Sequence, residues 1–483
     1  LPFVRRCGRV LLDEGRVTKS KVVFIKGEPI SLKPPVERAI LVSAPLKRSS
    51  AKLHADEYVE ELARLADTAG AEVVGYVTQN LDRPNSATYL GSGKVEELKD
   101  RIAELNATLV IFDDELSPAQ SKNVETIINT RLMDRAELIL DIFATRARSN
   151  EARVQVELAQ LEYMLPRLKR MWTHLDSMKG GIGMRGPGET QLESDRRLIQ
   201  ARVRILKERL VDVERARDQQ RSGRDAHFRI ALVGYTNAGK SSILRSLSND
   251  REVFVEDRLF ATLDPLTREI DLGEGYHGLL TDTVGFIRKL PHHLVASFRA
   301  TLAEAREADL LLHVIDASHP TWEAQRDVVH EVLADLGLSD KLQLHVMNKM
   351  DAVPEDQREA LHTRVDNIMP GAVYVSALEK NGLDALQERI RTIMRNSRPL
   401  YEIRIPVSNG RMMAEVHRDG EVLDQRNDGE LMVVRARLSE RSIGKLRHDG
   451  ARIMVVPRGA VARPVVAMSA DDSASAVSAG TEA

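Results

Sequence analysis

A multidomain α/β fold is the expectation from this sequence, and three observations carry it. Apolar runs alternate with helix-period segments from Ala39 to Met133 and again from Phe228 to Ser397, the succession that builds parallel sheets with helices on their faces. The stretch Gly234-Tyr-Thr-Asn-Ala-Gly-Lys-Ser-Ser242 has the spacing of a phosphate loop and follows the apolar run Ile230–Val233 directly. Between the two α/β stretches, two heptad-spaced segments separated by a glycine-rich run predict an antiparallel helical hairpin.

At 483 residues the chain has room for about three domains with separate cores. Its 42% hydrophobic content fits a soluble globular protein, and no window approaches the ~18 apolar residues of a membrane span. A formal net charge of −2 excludes a uniformly basic nucleic-acid binder while allowing a local basic surface. The lone Cys7 cannot form an internal disulfide, and no charged-then-apolar leader pattern opens the sequence, so the cytoplasm is the expected compartment.

Residues 1–38, ending near Lys33-Pro-Pro35, read as an N-terminal extension. Residues 39–150 form the first α/β unit. Strand-like runs fall at Ala39–Val42, Glu72–Val77, Thr108–Phe112 and Arg131–Met133, with helical stretches at Glu57–Ala69, Lys94–Glu104 and Pro118–Asn129. Gly91-Ser-Gly-Lys94 lacks the four-residue spacing of a phosphate loop and reads as a turn capping the next helix. Asp113-Asp-Glu115 sit where a metal could bind, but as acids ahead of a helix they read as solvated caps.

The hairpin occupies 151–226. Val154, Leu158, Leu161, Leu165, Leu168, Trp172 and Leu175 mark one arm, which Pro166 should bend, and Ile199, Val203, Leu206, Leu210 and Val213 mark the other. The tip, 179–189, carries five glycines flanked by Lys169, Arg170, Lys179, Arg185, Arg196 and Arg197. It suits either a phosphodiester backbone or a solvated linker with ordinary basic neighbours. Glu208, Asp212, Glu214 and Asp218 interrupt the basic residues of the second arm, which predicts an ion-paired surface there.

Residues 227–397 carry the nucleotide chemistry. Gly234 and Gly239 let the backbone approach an anion, Tyr235, Thr236, Asn237, Ala238 and Ser242 complete the cradle, and Lys240 reaches the β- and γ-phosphates. Ser241 offers its hydroxyl to Mg²⁺, and Asp282 of Asp282-Thr283-Val284-Gly285 would hold the same ion through water. The Gly285 N–H would sense the γ-phosphate, and Thr262, in Phe260-Ala-Thr-Leu-Asp-Pro265, is the candidate switch threonine that closes on Mg²⁺. The expected metal set is therefore Ser241, Thr262 and Asp282, and the expected catalytic set Lys240, Thr262 and Gly285.

Asn348-Lys-Met-Asp351 follows the run Leu342–Met347. The Asp351 carboxylate can accept from both N1–H and the exocyclic amine of guanine, donors that adenine lacks, and such polar pairing discriminates by about 10⁴-fold or more. Asn348 and Lys349 would tether the loops and cover the base, with Ser376-Ala377-Leu378 backing it through a main-chain N–H. Four motifs in this order predict GTP as substrate. Residues 398–464 read as a small α+β unit, with strand-like runs at Tyr401–Val407, Arg411–Val416 and Leu431–Ala436 and a helix at Ser439–His448; the tail, 465–483, is expected to be disordered.

The chain resembles the HflX family of GTPases, from the Obg-HflX branch of the P-loop class. The likeness rests on Asp113-Asp-Glu-Leu-Ser-Pro-Ala-Gln120, Asp134-Arg-Ala-Glu-Leu-Ile-Leu-Asp-Ile-Phe143, Gly180-Gly-Ile-Gly-Met-Arg-Gly-Pro-Gly-Glu-Thr190 and Phe260-Ala-Thr-Leu-Asp-Pro265. The resemblance implies docking on the large ribosomal subunit, the tip 179–189 near ribosomal RNA, and a role in dissociating or rescuing stalled ribosomes; the chain is expected to be a monomer. Phe286 stands where many GTPases carry a water-orienting glutamine, so without that group or a local arginine finger turnover should be near or below ~10⁻³ s⁻¹. A K⁺ ion beside Asn237 is a further expectation, from where some related GTPases bind one. Two rival readings stand: an RNA remodeller with a second nucleotide site built from Gly91–Lys94 and Asp113–Glu115, and a GTP-switched scaffold for a protein partner.

Overall fold

A computed structural model of the chain describes residues 36–47, 55–171, 187–221, 228–250, 258–290, 303–397, 399–438 and 440–456. Its first unit runs β1 (Arg38–Ser43), α1 (Ala55–Thr68), β2 (Glu72–Thr78), α2 (Ser92–Leu105), β3 (Leu109–Phe112), α3 (Pro118–Ile128), β4 (Arg131–Asp134) and α4 (Arg135–Arg146). The four strands are parallel, in the order β2-β1-β3-β4. Alternation within β1 feeds both faces: Ala39 and Leu41 pack with Leu62 and Leu65 of α1, while Ile40 and Val42 pack with Leu98 of α2 and Val124 of α3. Ser117 and Gln120 form a capping box that starts α3, with Pro118 in its first turn.

The hairpin arms are α5 (Asn150–Met171) and α6 (Pro187–Arg221). Val154 and Leu158 of α5 meet Leu206 of α6, and Arg202–Glu157 and Lys207–Glu162 ion pairs bridge the arms. Only one face of α5 serves the hairpin. Its other face, Ala152, Val156, Ala159 and Tyr163, lies in the same core as α1 and α4, so the base of the first arm is part of the first domain. Asp134 fastens it there: the carboxylate caps α4 through the Glu137 N–H and also accepts from the Tyr163 hydroxyl at 2.8 Å and Arg167 at 3.0 Å. Pro166 lies inside α5, which continues past it to Met171. Most of the expected tip, through residue 186, lies outside the described residues, and Pro187, Gly188 and Glu189 belong to α6 rather than to a loop. Pro is favoured at a helix's first position, which its missing N–H does not disturb.

The second sheet comprises β5 (Phe228–Gly234), β6 (Leu266–Asp271), β7 (His277–Asp282), β8 (Leu310–Asp316), β9 (Gln343–Asn348) and β10 (Val373–Tyr374), with helices α7 (Lys240–Ser248), α8 (Ala303–Glu307), α9 (Trp322–Asp335), α10 (Glu355–Ile368) and α11 (Asp384–Ser397). Its order is β10-β9-β8-β5-β7-β6, parallel except for the edge strand β6. The third unit is β11 (Leu400–Pro406), α12 (Gly410–Asp419), β12 (Glu421–Asp428), β13 (Leu431–Arg437), α13 (Glu440–His448) and β14 (Arg452–Val455), an antiparallel sheet ordered β12-β13-β11-β14. Here the expectation of a strand at Arg411–Val416 is wrong. Asn409 accepts from the Met412 N–H, and burial of Met412 and Val416, four residues apart, makes this segment one face of α12. Among the described residues no helix is long and apolar enough to cross a membrane.

The first and second sheets are joined by buried charge. Arg135, 1% exposed, donates to Asp113 at 2.8 Å, to Glu61, and to the Arg288 carbonyl at 3.0 and 3.2 Å. The Asp113 carboxylate also accepts from the Arg288 guanidinium at 3.0 and 3.1 Å and from Lys289 at 3.0 Å. Burial would raise the Asp113 carboxyl, but Arg135, Arg288 and Lys289 outweigh it and hold it below its ordinary range. Asp113 is thus an interdomain ion-pair centre and not a solvated cap. Replacing Arg135 with Met should lower apparent stability by about 3–5 kcal/mol, because buried carboxylates lose a partner. Urea unfolding followed by far-UV circular dichroism checks this, and Arg135→Lys should recover only part of the loss, since an ammonium cannot reach all of these acceptors at once.

Candidate nucleotide site

β5 delivers the loop 234–239 to the N-terminus of α7, whose unpaired N–H groups and dipole favour an anion. Gly239 adopts φ +96°, and a Cβ there would lie 2.1 Å from Asn348 Nδ2, so both backbone and neighbour require glycine. Lys240 is buried with its ammonium on the Gly234 and Tyr235 carbonyls at 3.2 and 2.8 Å. Burial pushes it down to about 8, partly opposed by Asp282, so the negative charge of a bound phosphate would favour the ammonium form.

Three oxygens converge beside it. The Ser241 hydroxyl donates to Asp282 at 2.6 Å and lies 2.9 Å from the Thr262 hydroxyl. The other Asp282 oxygen is buried with no hydrogen-bond partner, and burial raises this carboxyl despite Lys240, Ser241 and Thr262. Two hydroxyls and an unsatisfied carboxylate form a hard-oxygen donor set, which fits Mg²⁺. Thr236, Asn237, Gly239, Lys240, Ser241, Ser242, Arg258, Phe260, Ala261, Thr262, Thr283 and Gly285 line one cleft of about 410 Å³. At Gly285 an added Cβ would stand 2.7 Å from Thr236 Cα and 3.0 Å from Lys240 Nζ, so the segment after β7 can approach the loop only as glycine.

The residues expected to read the base are assembled beside the same loop. Asn348 donates to the Ala238 carbonyl at 2.9 Å and accepts from the Ala377 N–H at 3.2 Å, linking the phosphate loop to the segment after β10. Asp351 accepts from the Ser376 hydroxyl at 2.6 Å, and Lys349 pairs with Asp316 at 2.7 Å. Not every expected residue presents its side chain. Leu378 is 82% exposed, Val284 is buried in the apolar core, and the Thr283 hydroxyl is spent on the Leu232 carbonyl.

Several side chains of these motifs face the first domain. The Tyr235 hydroxyl donates to Glu61 and accepts from the Arg288 N–H at 2.9 Å. Phe286 is buried, and its backbone bonds to Gly234 and Thr236 tie the segment after Gly285 to the phosphate loop. The loop carrying Thr262 is held likewise: Phe260 stacks edge-on against Phe143 with centroids 4.6 Å apart, and Asp264 accepts from the Arg148 and Ser149 N–H groups at 3.1 Å. Arg258, absent from the sequence-derived set, also lines the cleft, four residues before Thr262, with no motif spacing to mark it. A larger cleft opens between α1 and the phosphate loop, where the acids Glu57, Glu60, Glu61 and Asp316 outnumber the cations Arg64 and Arg288.

The family models described as GTP-binding GTPase N-terminal, GTP-binding GTPase middle region and 50S ribosome-binding GTPase match residues 56–144, 146–224 and 229–349. GTPase HflX of Lacrimispora saccharolytica is 48% identical over 377 residues, 78% of this chain and 87% of the relative. GTPase HflX of Magnetococcus marinus is 42% identical across 86% of this chain and 96% of its own, and that of Escherichia coli 42% across 75% and 84%. A GTP-binding protein from Sulfolobus solfataricus, solved in complex with GDP, aligns over 74% of this chain and 98% of its own at 24% identity and TM-score 0.41.

Two substitutions separate the halves of the site. Asp351→Asn should weaken GTP binding by about 10- to 100-fold through loss of charge-assisted hydrogen bonds. Gly285→Ala should leave GDP binding near wild type and weaken the γ-phosphate-bearing analogue selectively. Fluorescent-nucleotide titration reads both, and equal losses for GDP and the analogue would contradict the second.

Proposed function

The chain belongs to the HflX family of GTPases, and from that premise we propose that it docks on the large ribosomal subunit and separates or rescues stalled ribosomes, with GTP hydrolysis driving its release. The chain is a GTP hydrolase. One observation carries the mechanical part of this reading. The loop with Thr262 and the segment after Gly285 are each bonded to the first domain, through Asp264 and Phe260 on one side and Arg288 on the other.

In this mechanism Lys240 neutralises the β- and γ-phosphates, the Gly285 N–H accompanies the γ-phosphate, and Asp351 selects guanine. Ser241, Thr262 and Asp282 would hold Mg²⁺, which neutralises charge developing on the phosphate oxygens. With the γ-phosphate present both loops are held closed, and the first domain with its hairpin is fixed in a ribosome-binding posture; after hydrolysis the loops relax and the posture is lost. The tip 179–189 would lie on ribosomal RNA, the protein acting as a monomer. Buried Phe286 cannot orient water, so docking on the ribosome would supply or position the missing group. Asn237, with φ +60° in the phosphate loop, would add a K⁺ site against the phosphates.

The remodeller reading has less support. Gly91 caps α2, Lys94 pairs with Glu97, and Asp113 is held by three cations, which leaves these groups no free phosphate-binding geometry. The scaffold reading predicts weak ribosome binding in every nucleotide state.

GTP turnover should rise at least about tenfold on adding purified large subunits. It should also be faster in K⁺ than in Na⁺ at equal ionic strength, an unchanged rate counting against the K⁺ site. Sucrose-gradient profiles should show subunit separation with a non-hydrolysable GTP analogue but not with GDP. Replacing Gly183, Gly186 and Gly188 together by Ala should abolish that separation while leaving GTP affinity intact.

A further inference from the structure

Three histidines play no part in the nucleotide chemistry, yet the fold gathers them. β8 and β9 are parallel neighbours with His313 and His345 directly in register, and α9 crosses the same face carrying His330. Each offers one ring nitrogen, and the three nitrogens lie within 4.8 Å of one another. Nε2 of His330 and Nε2 of His345 are 3.4 Å apart. In a tetrahedral zinc site with Zn–N distances of ~2.0–2.1 Å, neighbouring ligand nitrogens stand ~3.3 Å apart, so this edge already has the right length.

His313 supplies the second, independent observation. It is fully buried, and neither ring nitrogen has a hydrogen-bond partner. Leu311, two residues earlier on the same strand face, packs into a core shared with Val329 and Leu333 of α9, where an apolar side chain at 313 would serve packing as well. A buried imidazole with both nitrogens unsatisfied is costly and calls for a ligand.

We propose that His313, His330 and His345 bind a Zn²⁺ ion that ties α9 to β8 and β9. Three imidazoles are a borderline-soft set, suited to zinc and unlike the oxygen ligands of the nucleotide's Mg²⁺. Burial holds all three rings toward the neutral form that coordination requires. His345 is half-buried and His330 exposed, so the ion enters from the surface and a fourth position remains for water. Arg326 and, more weakly, Lys240 are the cations that oppose the site, and Arg326 is engaged by Asp327 at 2.6 and 3.0 Å. Zinc here would stiffen the two strands that end at Asp316 and Asn348, the residues that hold Lys349 and the phosphate loop.

The test uses the full chain without an affinity tag, stripped with chelator and titrated with Zn²⁺ alone by calorimetry. One ion per chain is expected, with affinity at least about tenfold weaker in His330→Ala and in His345→Gln. Zn²⁺ should raise the Tm of the wild type and not of either variant, and Co²⁺ should give the intense visible absorption of a tetrahedral site in the wild type only. Unchanged GDP affinity and circular dichroism show that the variants fold, and His313→Leu, which fills the buried position with an apolar group, should lose the ion while keeping the fold. Equal Zn²⁺ stoichiometry and affinity in the wild type and the variants, or no zinc binding by the wild type, would overturn the proposal.

Discussion

Asp113 is the constraint around which the first two domains are arranged. A carboxylate that is 3% exposed must have its charge met inside the protein, and three cations from two domains meet it. Arg135 comes from the first domain, Arg288 and Lys289 from the segment that follows Gly285. Removing that segment from its place would strip the carboxylate of two partners at once. Glu61 plays the companion part, accepting from Arg135 and from the phosphate-loop Tyr235. The nucleotide loops are thereby attached to the sheet that carries the hairpin, and their positions cannot change independently of it.

This arrangement gives a physical reason for the long sequence signatures. In Phe260-Ala-Thr-Leu-Asp-Pro265, Thr262 faces Ser241 while Phe260 and Asp264 face the first domain, so one loop joins the cleft to its neighbour. In the stretch from Asp134 to Phe143, Asp134 caps α4 and anchors the hairpin, Arg135 enters the ion network, and Phe143 meets Phe260. Phe260, Asp264, Asp134, Arg135 and Phe143 thus each have a partner across a domain boundary or at the base of the hairpin.

What was legible in the sequence was chemistry carried by consecutive residues. The phosphate loop, Asp282 to Gly285 and Asn348 to Asp351 are local patterns at strand ends, and the fold brings them together as their order implied. Asp113 was misjudged because its partners Arg288 and Lys289 lie far along the chain, while its immediate neighbours look like an acidic helix start. Arg411–Val416 looked like a strand because a short apolar alternation does not by itself reveal the Asn409 cap. Strand β12 gave no signal at all, since Glu421–Asp428 is a polar, largely exposed edge held by pairing with β13. His313, His330 and His345 are spread over two strands and a helix, and only the register of β8 with β9 places them side by side.

The central claim is that the first domain senses the nucleotide through the Asp113 and Glu61 contacts. Measuring large-subunit affinity of Asp113→Asn with a GTP analogue and with GDP tests it most directly. Coupling of this kind between sites typically amounts to about 5- to 150-fold, and in the variant the ratio of the two affinities should collapse toward one while nucleotide binding itself stays near wild type. A variant that binds both nucleotides normally and keeps the full wild-type ratio would show that the nucleotide signal reaches the ribosome by another route.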